Sequence, residues 1–347
     1  MQMKKMEKKR ILPIVISIMA LCVVALLITP MLKSAPHDIP VAVLNVDEGP
    51  GGAQAITMLE RIEPVEISKF TSQTEFDKAV NDNKFYAWVI IPSGYSASQI
   101  TENPAKLQLT INQGKNPTVA SAVQTMFMQI TIVSEMKITF ETNYVNAIPA
   151  DMGVGTIATI IGMFIFLPSW ITAMFIAINL RSKSNIKKER FESLSIQLAY
   201  CAGLALLIGL GATLLITAIS GASLPFFNVM MFVAIASFAF QLIVLAAVNW
   251  FGYAGLIIPV TLLILGMSAL SLPYEFLPQF WQNCIYPWIP QRFMAEGARE
   301  ILFMDKSFFN FSTLCLSIIA FIGFTGLFAT LLKPWPKLRK SKEVLTD

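Results

Sequence analysis

The residues with the most chemical potential are twelve, RSKSNIKKERFE from Arg181 to Glu192, which hold five Lys/Arg and two Glu. They separate two long apolar runs, Gly153 to Leu180 and Leu194 to Ile219. A charged stretch between two such runs stays in water, where Arg181, Lys187, Lys188, Glu189, Arg190, Phe191 and Glu192 form a compact handle for a partner to push. A second group lies near the C-terminal end. Arg292, Glu296, Arg299 and Glu300 fall at spacings of three and four, so on a helix they share one face and can pair there.

Catalysis by the chain itself is not expected. GxxxxGK[ST] is absent, and GPGG (Gly49 to Gly52) lacks the Lys and Ser/Thr of a phosphate loop, so it reads as a tight turn after a strand. GxSxG is absent too, and the sole histidine, His37, lies in a Pro-rich linker, which leaves no Ser/His/Asp arrangement. Cys22, Cys201, Cys284 and Cys315 are far apart with no CxxC pair, so no zinc site is expected and they read as small apolar residues. No cofactor is expected on this chain.

The elements around these groups are those of a membrane protein. Of 347 residues 55% are apolar and 14% charged, and the mean hydropathy is +0.61. Basic clusters at Met1 to Arg10, Arg181 to Arg190 and Lys333 to Lys342 all flank apolar runs, which favours topology and lipid contact over nucleic acid. Six runs reach or approach the roughly 20 residues that cross about 30 Å of hydrocarbon. They are Ile11 to Ile28, Gly153 to Leu180, Leu194 to Ile219, Leu224 to Val248, Ala254 to Leu272 and Phe309 to Leu332. The first reads as an uncleaved signal anchor, since no clean small-x-small site follows it. Because basic loops are retained inside, both termini and the Arg181 loop are expected in the cytoplasm of a multi-pass cell-membrane protein.

The expected fold is therefore membrane all-α, with six transmembrane helices and a small extracytoplasmic α/β domain between the first and second. Residues 1–32 form the inner tail and first helix, 33–150 the outer domain, and 151–347 a five-helix domain with inner loop 181–193, outer segment 273–307 and a cytoplasmic tail. Within 33–150, Ile39 to Val46, Val65 to Phe70, Lys84 to Ile91 and Lys106 to Asn112 read as strands. Ala53 to Arg61 and Glu75 to Asn81 read as helices, the latter opened by a Ser72/Glu75 capping box. Thr118 to Ala147, without Pro or Gly, reads as one long helix. The outer segment, which contains Glu275, is expected as two short helices broken at Pro287 and Pro290. Its Trp281, Tyr286 and Trp288 suit the membrane interface.

Three stretches together resemble the ABC-type transporter permeases of the type-2 class, in the group named after the phage infection protein. They are VAVLNVDEG (Val41 to Gly49), FDKAVNDNKFYAWVIIPSGYS (Phe76 to Ser96) and LPQFWQNCIYPWIPQRFMAEGAREILF (Leu277 to Phe303), the last with the spacing of Pro287, Pro290, Gly297 and Arg299. The resemblance implies that the Arg181 loop docks on a cytosolic ABC ATPase, with Glu189, Arg190, Phe191 and Glu192 in contact. It implies ATP and magnesium on that partner, and a second permease chain, identical or related. The alternative for the loop is that its charges only set topology.

No Asp, Glu, Lys or Arg lies mid-span, which argues against an ion-coupled carrier and for an external energy source. The polar exceptions, Asn179, Gln197, Gln241 and Asn249, are expected to bond between helices, and Gly203, Gly209 and Gly211 to permit close helix packing. A path lined by Phe, Met, Ile and Gly suits a hydrophobic or amphipathic substrate, exported outward. The rival reading is a surface receptor or secretion accessory whose outer domain does the work.

Overall fold

The computed structural model describes residues 35–333 apart from 100, 102–105, 134–137, 149–155, 183, 185 and 221–222. The expected first span and the basic tail beyond Lys333 lie outside the described residues. Five strands, β1 (Ile39–Asn45), β2 (Val65–Phe70), β3 (Ala87–Ile91), β4 (Leu107–Asn112) and β5 (Phe140–Val145), form one sheet in the order β2-β1-β3-β4-β5. β1 runs parallel to β2 and β3, β4 antiparallel to β3, and β5 parallel to β4. The connections are α1 (Pro50–Leu59), α2 (Gln73–Asn81), the single turn α3 (Tyr95–Ser98) and α4 (Pro117–Val133). A strand covered on both faces must be apolar on both. In β1, Val41 and Val43 face α1 and α4 while Ala42 and Leu44 face α2, and all four are buried.

The expected single helix over Thr118 to Ala147 is corrected. α4 ends at Val133 and 140–145 pairs with β4, Leu107 opposite Phe140 through Asn112 opposite Val145. FETNYV is rich in aromatic and β-branched residues, which suit a pleated surface better than a helix. GPGG is also not a closed turn. Gly49 is the N-cap of α1 and Pro50 lies in its first turn, where a missing N–H costs nothing. Asp47 Oδ2 accepts the Gly52 N–H at 3.1 Å and Ser96 Oγ that of Gly51 at 2.7 Å. The Ser96 hydroxyl also bonds the Asp47 carboxylate and holds it below its ordinary pKa. Ser72 is the N-cap of α2, without a side-chain capping bond.

The rest is helical: α5 (Thr156–Leu180), α6 (Lys187–Ser220), α7 (Phe226–Phe251), α8 (Ile257–Ser271), α9 (Pro290–Phe303) and α10 (Phe311–Ala329). Among the described residues, Lys187–Ile219, Phe226–Met267 and Phe311–Leu332 are long and apolar enough to cross a membrane, and Ile165–Leu180 is a shorter apolar helix. α7 is the hub, with α5, α6 and α10 packed on it. It ends where Gly252 adopts φ +66°, and the 3-10 turn Gly252–Leu256 then leads into α8. Polar side chains tie the helices internally. Ser169 of α5 lies 2.8 Å from Ser237 of α7, Gln241 donates to Ser237 at 3.0 Å, and Asn249 of α7 donates to Gln197 of α6 at 2.9 Å. Asn179 and Gln241 differ in bonding within their own helices, Asn179 to the Phe175 carbonyl and Gln241 to Ser237.

Candidate functional site: a charged handle and a polar cleft

At the end of the helices away from the sheet, α6 begins at Lys187, so the handle is the first turns of a helix rather than a loop as far as residue 193. Thirty-four residues at 1.5 Å each give about 51 Å, well beyond a hydrocarbon core of about 30 Å, so these turns project from it. Lys187, Lys188, Glu189 and Glu192 are exposed, and Phe191 is 52% exposed while its ring leans on Phe328 of α10, centroids 5.8 Å apart.

The two arginines point the other way. Arg190 is buried, and its guanidinium donates to the carbonyls of Thr330 and, at 3.2 Å, Lys333. Arg181 donates to the Asn249 carbonyl at 3.3 Å, and Lys333 Nζ to that of Trp250. Ser193 and Gln197 close the Leu180 carbonyl at the end of α5. The last carbonyls of a helix have no partner within it, and the helix dipole favours cations there. Part of the basic cluster is thus a collar joining the C-terminal ends of α5, α7 and α10 to the base of α6. Arg181 and Arg190 belong to that collar, not to the exposed surface.

At the opposite end, residues 273–304 bridge the membrane helices to the sheet. The expected pair of helices is corrected to a 3-10 turn (Tyr274–Phe276), one turn of π-helix (Trp281–Ile285) and α9. Pro290 opens α9 instead of breaking a helix, and Pro287 precedes it at the surface. Trp281 and Tyr286 are buried within the bridge; Trp288 alone of the three aromatics is exposed. Phe276 packs against the sheet core, and Glu275, 6% exposed, accepts the Tyr86 hydroxyl of the sheet domain at 2.9 Å while its carbonyl accepts the His37 N–H. Burial and the Glu275 carboxylate beside it raise the Tyr86 phenol well above its ordinary pKa, so it stays a donor.

α9 is divided lengthwise. Phe293, Met294, Ala298 and Ile301 pack on the helices, as does Gly297, where a Cβ would meet the Phe232 ring at 2.4 Å. Arg292, Glu296, Arg299 and Glu300 face a cleft of about 380 Å³ closed on its other side by Tyr86 and Lys115. Arg292 Nε bonds both Glu296 oxygens at 3.1 Å, and its guanidinium lies 4.7 Å from the Tyr286 ring, whose hydroxyl also donates to Glu296. The expected pairing along α9 is therefore made by Arg292 and Glu296. Sequence reasoning missed Lys115 and Tyr86; Tyr86 lies within the expected strand Lys84 to Ile91 and Lys115 just past that of Lys106 to Asn112, and nothing local to them announces a partner in the bridge.

Lys115 is half-buried, with Nζ 4.2 Å from the Tyr86 ring and bonded to the Lys84 carbonyl. Burial lowers its pKa from 10.5 to about 8, opposed by Glu275 and Glu296. Between these values the unfolded chain holds a proton that the folded chain lacks, so stability rises with pH there, and below about 8 the cost of the buried charge is fully present. Lys115→Met should remove this slope. Thermal unfolding from pH 7 to 10 should show the unsubstituted protein gaining on the variant as pH rises, and parallel curves would show that Lys115 does not titrate there.

Among the described residues no group of three or more His, Cys, Asp or Glu is placed to hold a metal ion. Neither a curated protein nor a solved structure matches the chain. The family model described as ABC-2 family transporter protein matches residues 9–332, nearly the whole chain, and that family implies a permease served by a separate ATPase. Apolar helices around a buried hub, with charge gathered at their two ends, are what such a subunit requires, and the chain belongs to the ABC-2 transporter family.

Proposed function

We propose that the chain is the membrane-spanning subunit of an ABC-type exporter, moving a hydrophobic or amphipathic substrate outward on ATP hydrolysed with magnesium by a cytosolic partner. Six spans per chain, a dimer of permease chains, the sheet domain outside and both termini inside complete this reading. The observation that carries it is the handle. Lys187, Lys188, Glu189 and Glu192 stand in solvent on a helix whose base is joined through Arg190 to the end of α10, and Arg181 ties the same region to α7. A push on those turns would reach three helices that share the α7 hub. The lack of any Asp, Glu, Lys or Arg within α5, α7, α8 and α10 supports a drive from outside the membrane domain.

Glu189→Lys combined with Glu192→Lys should abolish co-purification of a P-loop ATPase in detergent without lowering the unfolding temperature, because both side chains are exposed. Undiminished co-purification would remove the handle from the mechanism. A chain that brings down no ATPase, yet retains a surface activity of its sheet domain, would favour the receptor reading.

A further inference from the structure

The cleft holds charges that the handle does not use and that no ion pair among the described residues neutralises. Among the described residues, Lys115, Arg299, Glu275 and Glu300 form no ion pair within 4.0 Å, whereas Arg292 is matched by Glu296 and Asp82 by Lys84. All four line the same cavity, whose roughly 380 Å³ is within the size of small-molecule sites, about 300 to 1,000 Å³. Lys115 feels the Glu275 and Glu296 carboxylates without pairing with either, and ionised groups drawn partly out of water without a direct partner are costly, so a cleft that leaves two of each sign unpaired has reason to receive both signs from elsewhere. A purely anionic ligand would satisfy Lys115 and Arg299 and repel the carboxylates. A purely cationic one would do the reverse. Burial, and next the Glu296 carboxylate, raise the Glu300 pKa. Tyr274, exposed in the lining, adds an aromatic face that favours an ammonium, while the Tyr286 ring already carries Arg292.

We propose that the cleft binds a small zwitterion, its anion held by Lys115 and Arg299 and its ammonium by Glu275 and Glu300. The site deepens the permease reading, on which it rests only for the direction in which the ligand travels. Tyr286 also belongs to the buried apolar cluster of Leu277, Trp281, Ile285 and Ile289, which forms the wall behind the cleft. A lipid headgroup and a free zwitterion present the same chemistry.

The test is calorimetric titration of the purified full-length protein with glycerophosphoethanolamine, dihexanoyl phosphatidylethanolamine and glycylglycine, beside inorganic phosphate and ethanolamine as half-ligands. At least one zwitterion should bind saturably and about tenfold more tightly than either half-ligand, and Arg299→Gln and Glu300→Gln should each weaken it about tenfold. The tailed probe binding best identifies a lipid headgroup, and the tailless or dipeptide probe a free solute. Lys115→Gln replaces either variant that fails to fold. No saturable zwitterion, phosphate binding as tightly alone, or variants that bind like the unsubstituted protein would each overturn the proposal. Co-purification of the ATPase is scored separately on the same preparations. Its absence with binding intact would remove the permease reading and leave the site.

Discussion

Arg190→Met should destabilise the protein by about 3 kcal/mol, near 1.5 kcal/mol for each hydrogen bond from a charged donor to a helix-end carbonyl. Methionine keeps much of the length and apolar stem while deleting the guanidinium that serves Thr330 and Lys333. The Thr330 carbonyl, just past α10, is buried and cannot simply turn to water, and that of Lys333 is half-buried. Thermal unfolding in detergent should therefore fall by several degrees, whereas Glu189→Lys should leave it unchanged. The contrast separates the two jobs of a stretch that reads as a single charged unit. A stable Arg190→Met protein that has lost only its ATPase would return Arg190 to the docking surface.

Gly209→Leu should force α6 and α7 apart. A Cβ at Gly209 would lie 2.5 Å from the Met230 carbonyl oxygen and 3.0 Å from the Ala234 Cβ, so backbone, not a flexible side chain, must yield. Overpacking of this kind costs about 1 to 3 kcal/mol. Gly211, on the same helix, has nothing within 4 Å of its added Cβ and supplies the control, because the intrinsic helix-propensity gain of leucine over glycine is common to both. Unfolding should occur at lower temperature for Gly209→Leu than for Gly211→Leu, whose unfolding temperature should not fall. Equal behaviour of the two would mean that α6 does not rest on α7 at this point. Of the three glycines expected to bring helices together, Gly203 and Gly211 face open space and Gly209 makes the contact.

The phase of α6 contained more than its charge count. Leu194, Gln197, Cys201, Ala205 and Ala212 are all buried and recur at helical spacing, and extending that stripe back one turn reaches Arg190. The inward turn of this arginine was thus legible, hidden only because a cluster of charges invites a reading by composition. Apolar runs likewise showed α6, α7 and α10, since hydrocarbon length is a strong constraint. β5 is hidden in the sequence because Pro and Gly are absent from Thr118 to Ala147, and a stretch without breakers resembles one continuous helix. The cleft lay out of reach for another reason. Tyr86 and Glu275 are 189 positions apart, and periodicity says which face of an element is polar but not which distant element will meet it.

The account stands on the handle lying in the cytosol with the sheet domain outside. In a protein with its four cysteines replaced, Ser184→Cys and Glu66→Cys should be treated separately, in intact cells, with a maleimide that cannot cross the membrane. The thiol at 66 should react at once and that at 184 only after permeabilisation. Labelling at 184 in intact cells, with 66 protected, would place the handle outside and leave a cytosolic ATPase nothing to grip.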